Sequence, residues 1–124
     1  MFSTLFGWLF PSKDSSLSSE RDNSLTERIR SIHHQLETIC TLMPQDDTSD
    51  NWRNTFRTMQ TLLVQHPNQD GIDQANRIWR GIHGGMGSWN DYYIPHEKIE
   101  TMRELNSQLE DVCARLSELL QGRS

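Results

Sequence analysis

All four prolines of this chain, Pro11, Pro44, Pro67 and Pro95, stand between stretches of periodic apolar residues and never inside one. Proline lacks the backbone N–H and its ring clashes with the preceding turn, so each one marks a place where a helix cannot continue. The stretches between them read as helices. Ser24-Leu25-Thr26-Glu27 has the capping-box pattern, and Leu25, Ile29, Ile32, Leu36, Ile39 and Met43 follow it at alternating spacings of four and three. A second stripe, entered through Asp50, carries Trp52, Phe56, Met59 and Leu63 and stops near His66. A third follows Asp70 with Ile72, Ala75, Ile78, Trp79 and Ile82, and ends where Gly84 and Gly85 offer a left-handed cap. After Pro95 a long stripe of Ile99, Met102, Leu105, Leu109, Val112, Leu116 and Leu119 runs nearly to Gly122.

No stretch alternates apolar and polar residues as a half-buried strand does, and no segment repeats. The expectation is an all-α fold, a single-domain bundle of about four helices with a glycine- and aromatic-rich loop between the third and fourth. The near-heptad spacing of the first and last stripes also permits a coiled-coil or swapped dimer. Trp52, Phe56 and Trp79 suit a globular core better than such a seam. A chain of 124 residues is one domain by length. Residues 24–121 form the bundle, and residues 1–23 read as an apolar arm and a Ser-rich linker.

The arm, Met1 to Phe10, is too short to span a bilayer, which takes about 20 residues. Its first basic residue is Lys13, so it does not carry the charge pattern of an export signal. It lies at a membrane surface or a partner, or it folds back onto the helices. Cys40 and Cys113 fall on or beside apolar stripes and read as reduced core thiols of a cytoplasmic protein.

Seventeen Asp and Glu stand against twelve Lys and Arg. Phosphate binding needs clustered cations, so this balance excludes a nucleic-acid surface and suits a basic partner. The acid excess sits at Asp46, Asp47 and Asp50 in the linker before the second helix, and along the last helix at Glu97, Glu100, Glu104, Glu110, Asp111 and Glu118. For any one of these runs, a solvated surface is the plain alternative.

Reaction chemistry is hard to place. His33 and His34 are adjacent and cannot share a metal from one helix face. His66 sits in a helix's last turn, where a cation favours the dipole. His83 and His96 bracket the glycine loop and, with Asp91, are the candidates for a metal-dependent hydrolase, although no ligand spacing supports them. Ser88 has no strand before it, as a nucleophile elbow requires, and Gly-Gly-Met-Gly lacks the Lys-Ser/Thr ending of a phosphate loop. No cofactor and no metal are expected.

What remains is Gly84-Gly85-Met86-Gly87-Ser88-Trp89-Asn90-Asp91-Tyr92-Tyr93-Ile94. Four of the seven glycines fall between Gly81 and Gly87, so Gly84, Gly85 and Gly87 shape a backbone that a Cβ would obstruct. Ser88, Asn90 and Asp91 can bond their own backbone, while Met86, Trp89, Tyr92 and Tyr93 supply the large contact surfaces found at interface hot spots. Alternatively, Trp89 and Ile94 plug the end of the bundle while Asn90 and Asp91 cap the helices around it. Both readings stay open here.

The stretch from Gly84 to Asp91, directly after Ile78-Trp79-Arg80-Gly81-Ile82-His83, resembles the signature of a family of small bacterial helical domains, Gly-Gly-Met-Gly-Ser-hydrophobic-Asn-Asp followed by an apolar segment. Trp89 fills the hydrophobic position and Tyr92-Tyr93-Ile94 the continuation, and the likeness covers about residues 51–95. It implies a helical domain and brings no reaction with it. Small, acidic, stand-alone bacterial proteins are also similar to immunity proteins, which neutralise an effector by binding it. The expected function is a non-enzymatic protein-binding module, most simply an immunity protein that occludes a basic toxin. Its contact residues would be Met86, Ser88, Trp89, Asn90, Asp91, Tyr92 and Tyr93 with Asp46, Asp47 and Asp50. A small metal-dependent hydrolase around His83, Asp91 and His96, and a membrane-surface adaptor using residues 1–10, are the alternatives.

Overall fold

A computed structural model describes residues 19–83 and 88–121, with side chains from Ser24 onward. The apolar arm, most of the linker, and Gly84, Gly85, Met86 and Gly87 lie outside the described residues. The chain forms α1 (Ser19–Leu42), α2 (Asp47–Gln65), α3 (Gln69–Gly81) and α4 (Ile99–Gln121), with a 3-10 turn at Trp89–Asp91 and no strand among the described residues. The fold is an all-α bundle. Residues 43–46 and 66–68 are connections too short for anything but antiparallel neighbours. In the main packing pairs α1 touches α2 and α4, and α3 touches α2 and α4, which arranges the four helices as a ring.

The stripes converge as their spacing requires. Ile29, Ile32, Leu36 and Ile39 of α1, Phe56, Met59 and Leu63 of α2, Ile72, Ala75 and Trp79 of α3, and Leu109, Leu116 and Leu120 of α4 form one buried core. The Trp79 indole N–H donates to Ser117 Oγ at 2.9 Å, which satisfies its polar atom inside that core.

Helix boundaries differ from expectation in three places. Helix α1 opens at Ser19, so Ser24–Glu27 lies inside it and not at its start. No proline or glycine stands between Ser19 and Ser24, and extending a helix that already exists adds one bond per residue fixed. Helix α2 is capped by Asp46, whose carboxylate accepts from Ser49 N at 2.7 Å, rather than by Asp50. Helix α3 is capped by Asn68, whose side chain accepts from Gly71 N at 3.1 Å, rather than by Asp70. In each of these two cases the cap follows closely after a proline, and the later acid sits in the first turn, where its charge offsets the helix dipole.

The lengths of the last two helices decide where the loop goes. With 13 residues α3 is about 20 Å long, and with 23 residues α4 is about 35 Å, so α3 cannot cover its neighbour's beginning. Ile99, expected in the core, is 57% exposed at the very start of α4. The space that further turns of α3 would fill is taken by residues from the segment 88–98. Trp89 and Ile94 enter it and are 5% and 2% exposed. Asn106 of α4 fixes the segment: its side chain accepts from Ile94 N at 2.7 Å and donates to Ile94 O at 2.9 Å.

Two arginines tie helix ends together. Neither α1 nor α4 has a basic residue in its last turn. Arg53 of α2 donates to Met43 O at 2.9 Å and Pro44 O at 3.0 Å, just past the end of α1. Arg28 of α1 donates to Leu119 O at 2.7 Å, near the end of α4. Between α1 and α2, Glu37 accepts from Arg57 and Gln60, and the buried Gln60 amide also donates to His33 O at 3.2 Å. Burial lowers the pKa of His33, with Arg57 and His34 adding to the effect and Glu37 opposing it.

Candidate functional site

The loop and the acidic linker, which the sequence separates by about forty residues, meet at Ser49. Ser49 is completely buried in the first turn of α2. Its N–H donates to the Asp46 carboxylate, and its Oγ lies 2.6 Å from the Tyr92 hydroxyl. The N–H of Ser49, and secondarily its hydroxyl, hold the Asp46 carboxyl below the usual range. Burial moves the Tyr92 phenol the other way, upward, with the Asp46 charge adding to it and the Ser49 hydrogen bond working against it.

Tyr92 is fixed from behind as well. Its ring stacks on Trp89 at 4.9 Å and 10°. Trp89 in turn meets Phe56 edge-on at 4.8 Å and Trp52 at 5.3 Å, and its indole bonds the Cys113 thiol on α4. The 3-10 turn that carries it is built locally: Trp89 N donates to Ile82 O at 2.9 Å, and Ser88 Oγ accepts from Asn90 N at 3.3 Å. The first of these bonds links the end of α3 to the turn.

In front of Tyr92 lies a groove of about 390 Å³. Asp46, Asp47 and Thr48 line it from the start of α2 and Trp52 from the next turn, with Ser88, Asp91, Tyr92, Tyr93 and Pro95 on the side of the loop. Its walls are predominantly apolar, and three aspartates are among the residues that line it. Tyr93, on the loop side, is 61% exposed.

Of the contact residues expected from sequence, the structure therefore brings together Asp46, Asp47, Ser88, Asp91, Tyr92 and Tyr93. Trp89 stands behind them in the core and offers no exposed face. Asn90 is exposed outside the groove, and Asp50 pairs with Arg53. Comparison with family models, curated proteins and solved structures finds no match. The site rests on its own geometry.

The histidine candidates do not converge. His83 Nδ1–H donates to Trp79 O at 2.6 Å and its ring lies against the Trp79 indole, while exposed His96 accepts from Lys98 N at 3.0 Å. Among the described residues no group of three or more His, Cys, Asp or Glu side chains is placed to hold a metal ion. Burial pushes the Cys113 thiol up to about 11 and raises that of Cys40, which disfavours the thiolate and hence nucleophilic chemistry at either. Among the described residues no helix is long and apolar enough to cross a membrane.

Sequence reasoning missed Ser49 and Asn106, the two residues that position the loop. Asn106, a polar residue in the middle of a long amphipathic helix, carries a faint signal; Ser49 carries none, because serine is ordinary in a helix's first turn.

Proposed function

We propose that this chain is a non-enzymatic protein-binding module that acts by occlusion, an immunity-type protein for a basic bacterial effector, working in the cytoplasm. The observation that carries the reading is the groove between the start of α2 and the loop, where exposed Tyr93 and the carboxylates of Asp46, Asp47 and Asp91 share one rigidly supported surface. Aromatic side chains with few internal degrees of freedom give contact area at small entropic loss, and acidic groups around them speed encounter with a basic partner. The resemblance to immunity proteins adds the kind of partner.

The test is association with the product of the gene adjacent to this one. Binding is expected, and it should weaken by about tenfold or more in Tyr93→Ala and in Thr48→Arg, both exposed positions on the groove, with the melting temperature unchanged. Unaltered affinity in both folded variants would remove the groove as the interface. Protection of cells from the effector, lost in the same variants, tests the occlusion.

A further inference from the structure

We propose that a polar cleft along α3 binds an acidic peptide segment, through arginines that pair with its carboxylates and an asparagine that accepts from its backbone N–H. The cleft shares no lining residue with the groove described above. Its origin lies in the spacing of α3. Gln69, Asp73, Asn76 and Arg80 follow one another at intervals of four, three and four, and the last three each stand one position after a buried residue, Ile72, Ala75 or Trp79. They therefore form a polar row beside the apolar one. Along that row lie two adjoining cavities of about 580 and 650 Å³, which share Asp73, Asn76 and Arg80. Arg77 helps to line one, and Arg28 of α1 with Leu120 and Gln121 of α4 the other. Both volumes fall in the range of ligand sites.

Charge decides the kind of ligand. The chain carries a formal net charge of -5, yet three arginines line this cleft. Arg77 and Arg80 are exposed, and their side chains form no ion pair or hydrogen bond among the described residues. Arg28 donates through Nε to Leu119 O and through one Nη to Leu120 O, and its other N–H groups are not engaged. The Asp73 carboxylate accepts from Gln69 Nε2 at 2.9 Å and is paired with none of the three. A second observation, independent of charge, lies in the same place. Asn76 lines both cavities, and its Oδ1 is enclosed with no hydrogen-bond partner among the described residues. Such an acceptor is unfavourable until a donor reaches it. The residue as a whole is only partly buried, so a change of rotamer carries its amide into the cavity. A phosphate would pair with the arginines, but it brings acceptors alone, and would leave that oxygen unmatched and set a like charge beside Asp73. A peptide carboxylate arrives with a backbone N–H next to it. Its oxygens take the guanidinium fork while its N–H donates to Asn76 Oδ1.

The experiment titrates the full chain, isotopically labelled, with the blocked peptide acetyl-Gly-Glu-Glu-Gly-amide, with its glutamine counterpart and with inorganic phosphate. The glutamate peptide should move the Nε–H resonances of Arg77 and Arg80 and the side-chain amide of Asn76. The glutamine peptide, equal in shape and uncharged, should bind about tenfold or more weakly. The double variant Arg77→Gln, Arg80→Gln, with an unchanged melting temperature, should lose the response. Asn76→Ala, which removes the unmatched oxygen, should weaken binding about threefold or more without lowering the melting temperature. Equal binding of the two peptides, undiminished binding in either variant, phosphate bound as tightly as the glutamate peptide, or no response at about 20 mM peptide overturns the proposal. None of these outcomes bears on the groove, whose own test is the effector's affinity in Tyr93→Ala.

Discussion

At the scale of single residues, the same substitution has opposite consequences at two glycines of one helix. A Cβ on Gly71 would sit 2.0 Å from His66 O, a backbone atom of the tight α2–α3 connection, whereas a Cβ on Gly81 meets nothing within 4 Å. Gly71→Ala should therefore lower stability by about 2 kcal/mol, the scale of a forced backbone shift. Gly81→Ala should raise it by several tenths of a kcal/mol to about 1 kcal/mol through helix propensity. Urea denaturation of both variants checks the pair. His33 gives the pH dependence. Its folded pKa lies below the ordinary 6.5, so the unfolded chain binds the proton more tightly. The stability this contributes is complete above pH 6.5 and is lost as the pH falls from there through the folded value. Glu37, also lowered from its ordinary 4.5 by its hydrogen bond to Arg57, acts in the same direction, but only below that pH. His33→Gln should flatten the stability profile between about pH 7 and pH 5 and leave the acid limb below pH 4.5 in place, as read from chemical melts across that range.

The four helices illustrate what a single sequence can and cannot say about elements. Stripes of period 3.6 bounded by prolines place all four, because burial of one face is a local property that the chain writes into its own spacing. Their ends are less legible: Asp46 and Asp50, or Asn68 and Asp70, are equally good caps by residue type, and tertiary geometry chooses between them. The junction at Ser49 is invisible for a related reason, since a contact between residues 49 and 92 leaves no periodic trace. The same holds for the arginines that serve helices other than their own. Arg53 and Arg28 satisfy carbonyls at the ends of α1 and α4, where those helices have no cation in the last turn. Arg53→Gln and Arg28→Gln should each lower stability by about 1.5 kcal/mol, the scale of a charge-assisted hydrogen bond, and the two losses should add because the sites share no partner. Thermal melts of the single and double variants test this.

For the molecule as a whole, the ring of helices is closed at one end by residues from the segment 88–98, with Trp89 seated over Cys113. That thiol is therefore a reporter of whether the closure opens separately from the bundle. Native protein should react with a disulfide reagent far more slowly than unfolded chain, and Trp89→Ala should speed labelling of Cys113 much more than that of Cys40, which lies in the core against other helices. Equal acceleration at both thiols would mean that the closure and the bundle unfold as one unit. The groove lies at this closed end, beside the start of α2. Helix α1, about 36 Å long, runs from the opposite end, and the Arg28 bond to Leu119 sets the close of α4 next to the opening of α1 there. A fluorescent protein or an affinity handle spliced directly onto either flank of the bundle would thus hang from the pole remote from the groove, so a tethered version of this protein keeps the groove pointing outward.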